Sequence, residues 1–285
     1  MRRSTPAAKP PPPAVALEAQ IAAALDHLGQ GRLDEADAAC ARGFALAPGH
    51  PALLQLHSAL QLARGEAVPA LRSAMASLAA RPDHAPTLLL AARAARAAGE
   101  LGLAAVQAER GAALAPGDAQ AACLLGVLRL DLGRAEAALQ GLLAFTAAHP
   151  DSAPAWYECG RAARAVGRRD TARAAFETAL RLAPGLAPAW FALALVCQDE
   201  RDLAAAQKAL EQLLRLQPQH VEAAVNLGLV QQQQGRLDAA MACYGRAYRA
   251  RPGATFGRIA NALCAEPCGQ LWLDPEALRA ALQRA

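Results

Sequence analysis

The stretch GRLDEADAA at residues 31–39 returns almost intact as GRLDAAMAC at residues 235–243. The two copies lie 204 residues apart, six times 34, so a period of 34 is the first organisation to test. Proline recurs on that step at 48, 82, 116, 150, 184, 218 and 252. Alanine keeps the same step at 36, 70, 104, 138, 172, 206 and 240. Glycine fills 31, 65, 99, 133, 167 and 235, and Arg201 stands in the sixth slot. Seven residues before each of these slots sits a small side chain: Ala24, Ser58, Ala92, Gly126, Gly160, Ala194 and Gly228. An Ala-rich chain produces one such column by chance, but not a proline ladder in register with three others.

Each column has a physical meaning. The glycine permits the left-handed backbone that ends a helix sharply. The small residue and the alanine mark where two helices cross closely, and an overpacked side chain there costs roughly 1–3 kcal/mol. The proline stops the second helix of the pair, and prolines in APTL (85–88), APAW (153–156) and APAW (187–190) open the next first helix. Seven helix–turn–helix units follow. The first helix of each occupies about fourteen residues before the turn glycine, and the second runs from just after it to the proline.

The period and these columns resemble the tetratricopeptide (TPR) repeat over residues 17–252. The resemblance implies an all-α fold, a right-handed α-solenoid of stacked helix–turn–helix units whose first helices line a concave groove. Two departures stand out. The aromatic expected in the first helix appears only as Trp156 and Trp190, and Arg201 puts a non-glycine residue where positive φ is needed. Residues 1–16 read as a disordered, Pro-rich tail, and residues 253–285 as capping helices. In that last segment Asp274 and Pro275 start a helix, and Trp272 is its expected anchor.

Composition narrows the function. Lys and Arg number 29 against 25 Asp and Glu, and a formal charge of +4 is small for a nucleic-acid binder of 285 residues. No apolar run suits a signal peptide or a membrane span, which predicts a cytoplasmic protein. The seven cysteines are scattered and expected as reduced, mostly buried thiols. Cys264 and Cys268 form C-x3-C without the further ligands that zinc needs. His50, His84 and His220 share one inter-repeat position and are expected to face solvent, whereas His27 and His57 are packing residues. No catalytic motif occurs. The expectation is a protein without cofactor, metal or catalysis.

The groove carries the site hypothesis. Repeats are counted from residues 17, 51, 85, 119, 153, 187 and 221. TPR geometry then turns positions 2, 5, 6, 9, 12 and 13 inward. This selects Arg93 and Arg96 in the third repeat and Cys123, Leu124, Val127 and Leu130 in the fourth. It selects Tyr157, Glu158, Arg161 and Arg164 in the fifth, and Phe191, Leu195, Gln198 and Asp199 in the sixth. The seventh adds Val225, Asn226, Leu229, Gln232 and Gln233. Two arginine pairs thus flank an apolar strip, with roughly 20 Å between them if helices pack about 8–10 Å apart. Arginine forks bind carboxylates, so the expected partner is a protein segment with acidic ends and an apolar middle.

The expected function is a non-catalytic protein–protein interaction scaffold. The alternative is an accessory subunit that presents a substrate protein to a separately encoded sulfotransferase or glycosyltransferase. RNA binding, as in 35-residue helical repeats, is disfavoured by the constant period and the weakly basic inner face.

Overall fold

The computed structural model describes residues 12–265 and 274–285, and within them the chain is all-α. Among the described residues sixteen helices run in order. The second helices of the pairs are Leu33–Leu46, Ala67–Ala80, Leu101–Leu114, Ala135–Ala148, Arg169–Leu182, Leu203–Leu216 and Leu237–Ala250 (α2, α4, α6, α8, α10, α12 and α14). Each is 14 residues long, and their starts are 34 apart throughout. The first helices are Pro13–Gly29, Pro51–Ala63, Ala85–Ala97, Ala119–Asp131, Ala153–Ala165, Ala187–Asp199 and Val221–Gln233 (α1, α3, α5, α7, α9, α11 and α13). Pro252–Ala265 (α15) and Pro275–Arg284 (α16) follow. The first helix begins at Pro13, ahead of the expected boundary at residue 17, because a proline in the first turn has no N–H to leave unsatisfied.

The turn column behaves as its chemistry requires. Gly31, Gly65, Gly99, Gly133, Gly167 and Gly235 all adopt positive φ, between 71° and 83°. Arg201 does the same at φ 60°, alone among the described non-glycine residues. The backbone thus keeps one turn geometry at all seven slots, and the side chain at 201 adapts to it.

The small-residue column is coupled to a second column sixteen residues on. Where the first helix offers Gly160 or Gly228, the partner helix places Phe176 or Tyr244 directly over it, each fully buried. Where it offers Ala24 or Ala92, the partner is only Cys40 or Ala108, in the same buried clusters. Ala92 and Ala108 together fill less space than Gly160 and Phe176, and leucines from the surrounding helices, Leu71, Leu101 and Leu125 among them, pack against that smaller crossing.

The chain divides into two compact units, residues 1–134 and 135–285, with the boundary in the fourth turn. In the first unit Ala92, Ala95, Ala104, Ala108 and Leu128 form one buried cluster. Its first helix exposes Asp26 at the position where later repeats bury Leu60, Ala94, Leu128, Ala162, Val196 and Val230, so that edge is polar. In the second unit Trp156 and Trp190 each donate from Nε1 to a carbonyl of the loop before them, Pro150 and Pro184, at 2.8 Å. Asp274 caps α16 by accepting from the Glu276 N–H at 2.8 Å, and Leu278 and Leu282 are buried. The last turn of α16 lies on Gly245, and Arg249 donates to the carbonyls of Leu282 and Gln283. The expected anchor Trp272 and the second C-x3-C cysteine, Cys268, lie outside the described residues.

Candidate functional site

Three residues of the fifth repeat that the sequence assigns to the groove line one pocket. On α9, Tyr157, Arg161 and Arg164 stand at i, i+4 and i+7, one helical face. The next first helix brings Phe191 and Leu195 alongside, and the loop before α13 contributes Gln217 and His220. Together with Ala187, Pro188 and Ala192 they line a pocket of about 310 Å³.

The aromatic wall is built from beneath. Gly160 leaves room for Phe176, and the Phe176 ring lies 5.9 Å from that of Tyr157. Burial raises the Tyr157 hydroxyl above its usual range, with Arg161 opposing, so the phenol stays neutral at physiological pH. The Phe191 and His220 rings lie 5.3 Å apart. His220 accepts the Ala223 N–H through Nδ1 at 3.1 Å, which fixes the ring as the cap of α13.

The two arginines differ. Arg161 donates to Glu158 at 2.8 Å and its guanidinium stands 5.9 Å from the Tyr157 ring. Arg164 is exposed and lines the pocket. It makes no ion pair within the described residues.

The first unit treats its arginine pair otherwise. Arg96 Nε meets Asp131 Oδ2 at 2.5 Å, and Arg93 donates to Gln120 at 3.0 Å. Leu124, Val127 and Leu130 lie half-buried on α7, and Leu124 packs against the buried alanine cluster. The two arginine pairs are therefore not equivalent. The charge of the first is answered from within the chain, by an aspartate 35 residues on from Arg96.

Other expectations are corrected. Gln232 is fully buried: its amide donates to the Ala262 carbonyl at 3.0 Å and its oxygen accepts from the Tyr244 hydroxyl at 2.9 Å. It bridges α13, α14 and α15. Gln198 reaches the Asn226 carbonyl at 3.5 Å, and both side chains stay half-buried. His50, His84 and His220 do not simply face solvent, since each occupies the N-cap of a first helix and is half-buried. His84 Nδ1 lies 2.8 Å from Thr87 Oγ1, and burial followed by Arg81 lowers its pKa. The loop position common to all three histidines was visible in the sequence, but not that it is the N-cap position, where only the His220 side chain accepts a helix N–H. No group of His, Cys, Asp and Glu among the described residues is placed to hold a metal ion, and no described helix is long and apolar enough to cross a membrane.

The fold defines a helical-repeat protein, and its stacked helix pairs are of the tetratricopeptide type. Residues 141–252, within the second unit and including the pocket, match the family model described as the TPR domain of cytochrome c-type biogenesis protein H. Among solved structures the chain is similar to a tetratricopeptide repeat protein from Parabacteroides merdae. The identity is 17%, over 94% of this chain and 98% of that one, with a TM-score of 0.64. It is also similar to a chain of the APC/C Cut9–Hcn1 hetero-tetramer, at 18% identity over 84% of this chain but only 48% of that one, with a TM-score of 0.70. Similarity to PilF of Pseudomonas aeruginosa is 15% over 85% and 94%, with a TM-score of 0.55. No curated protein matches the sequence.

Proposed function

We propose that the chain is a non-catalytic interaction scaffold that holds an acidic segment of a partner protein against the first-helix face of its second unit. The observation that carries this is Arg164, an exposed guanidinium without an ion pair among the described residues, beside an aromatic pocket. A carboxylate that reaches it makes a charge-assisted hydrogen bond worth about 1.5–3 kcal/mol. The neighbouring rings of Tyr157 and Phe191 supply the apolar contact that rim charges alone lack. The acidic-ended segment expected from two arginine pairs reduces to one acidic contact, because Arg96 already holds Asp131.

A partner identified by affinity capture and mass spectrometry, then titrated calorimetrically, tests this. Arg164→Glu is expected to weaken binding at least tenfold. Equal affinity for wild type and variant removes the pocket from the site.

A second proposal takes its support from the family match over residues 141–252. Here the scaffold is an accessory factor that holds a substrate protein for a separately encoded enzyme of a biogenesis pathway. Stoichiometric recovery of one enzyme with the chain supports it over a free-standing adaptor. The sulfotransferase and glycosyltransferase alternatives are told apart by which enzyme is recovered.

A further inference from the structure

Position 5 of the first helix is aromatic in two consecutive repeats, as Tyr157 and Phe191. The other five repeats hold Ile21, Gln55, Leu89, Cys123 and Val225 there. Arginine stands at both positions 9 and 12 in two repeats, as Arg93 with Arg96 and as Arg161 with Arg164. The two features coincide in the fifth repeat alone, and there the fold gathers them around one pocket. In the third repeat the arginines share their helix with Leu89 and are taken up by Gln120 and Asp131.

The polar groups of the pocket favour one kind of ligand. Two arginines line it and no acid does, so an anion meets no like charge in the lining. Arg161 donates to Glu158, and Arg164 forms no ion pair among the described residues. His220 Nδ1 accepts the Ala223 N–H, so the proton of the neutral ring sits on Nε2, which is a donor.

The apolar lining favours one kind of side chain. Tyr157, Phe191 and His220 bring three rings to the pocket, and all three are half-buried. Aromatic rings attract one another, offset or edge to face, beyond what their buried area supplies. The volume of about 310 Å³ lies at the lower end of small-ligand pockets, roughly 300–1,000 Å³. It suits one large side chain and not a whole helix, about 10–12 Å across.

Resting on the scaffold proposal above, we infer that the partner residue seated in this pocket is aromatic and that the acid meeting Arg164 stands beside it in the segment. The ring packs on Tyr157 and Phe191, and the carboxylate takes the Arg164 guanidinium. Both groups enter one pocket. An extended chain advances roughly 3.3 Å per residue, so three residues carry the acid about 10 Å from the ring. The acid therefore lies within two positions of the aromatic, on either side.

The test is selection of random dodecapeptides on the immobilised full-length chain, followed by fluorescence anisotropy. Enrichment of Phe, Tyr or Trp with Asp or Glu within two positions is expected. Each enriched peptide is remade with its acid as the amide, and again with its aromatic residue as leucine. Arg164→Gln is expected to weaken the parent peptide at least tenfold and the amide peptide less than twofold. Phe191→Leu is expected to weaken the parent at least fivefold and the leucine peptide less than twofold. A fold defect weakens all three peptides alike, so the paired comparisons separate contact from damage. Uniform weakening therefore overturns the inference, as does an acid enriched more than two positions from the ring. Enriched peptides that carry an aliphatic residue beside the acid, and respond to Arg164→Gln but not to Phe191→Leu, overturn the aromatic occupant and leave the scaffold proposal standing. If no peptide is enriched, or Arg164→Gln changes none of them, both proposals fall.

Discussion

Gly160 lies directly beneath the ring of Phe176: a Cβ built on the glycine stands 2.6 Å from Cδ1 and Cε1 of that ring. Gly228 has the same relation to Tyr244, at 2.5 Å. The small residue is therefore a socket for an aromatic knob, and in the fifth repeat that knob backs the Tyr157 wall of the pocket. Gly160→Ala forces the ring aside and is expected to cost about 1–3 kcal/mol despite alanine's better helix propensity. Adding Phe176→Leu recreates the Ala194–Leu210 combination of the next repeat and is expected to recover part of the loss. Urea midpoints of the two variants check this, and a double variant less stable than Gly160→Ala alone counts against it. Repeat arrays unfold segment by segment, so the comparison belongs on one chain length.

Glycine at the turn slot is the one feature for which the chain contains its own exception. Arg201 sits at φ 60°, where an L side chain crowds its own backbone at roughly 1–2 kcal/mol. Arg201→Gly removes that strain and adds back about 0.5–1 kcal/mol of unfolded-state freedom. A net gain of about 0.5–1 kcal/mol is expected, read as a higher urea midpoint. Gly167→Ala, which imposes the strain on a turn now free of it but reduces the freedom of the unfolded chain, is expected to cost about 0.5–1 kcal/mol net. If Arg201→Gly is destabilising, the arginine side chain contributes more than the strain it imposes.

Period and register were legible because every repeat restates them. Seven prolines and seven turn slots set the ends of fourteen helices, and, apart from α1 at Pro13, the observed starts fall on the same step of 34. What a single repeat does with its neighbours was not. Arg96 finds Asp131 across two helices, and the 35-residue spacing becomes meaningful only when successive first helices lie side by side. Gln232 has a groove position by count, but it is buried because α15 and Tyr244 reach it. His220 shares its loop position with two other histidines, yet only its ring lies against Phe191 in the pocket. Periodicity assigns a face, whereas the identity of the next repeat's side chain decides whether that face stays open.

Asp202 joins a helix cap to an ion-pair network. It accepts the Ala205 N–H at 3.0 Å and meets Arg173, which also holds Glu200 and Glu177. The cap hydrogen bond, and then Arg173, hold its carboxyl below the usual carboxylate range. A depressed value in the folded state means stability that is present above the unfolded pKa, about 3.9, and lost as pH falls through the folded value. Wild type is therefore expected to lose more stability between pH 5 and pH 3 than Asp202→Asn, which caps without titrating. Asp202→Ala is expected to cost about 1 kcal/mol at neutral pH. Parallel acid profiles for wild type and Asp202→Asn would remove the linkage.

Buried thiols make the last prediction. Cys159 and Cys197 are fully buried, Cys40 nearly so, and burial pushes all three up to about 11. At pH 8 only about one in a thousand of such thiols is ionised, against roughly a quarter of an unperturbed cysteine, and the thiolate is the nucleophile. Cys264 is exposed. Iodoacetamide at pH 8, with labelling followed site by site by mass spectrometry, is expected to modify Cys264 within minutes and the three buried cysteines only as the repeats open. Labelling at Cys159 then reports opening of the fifth repeat, next to the pocket. Gly160→Ala, which loosens that crossing, is expected to accelerate labelling at Cys159 more than at Cys40, in the first repeat. Equal acceleration at both sites would mean that the loosening spreads along the chain instead of staying in one repeat.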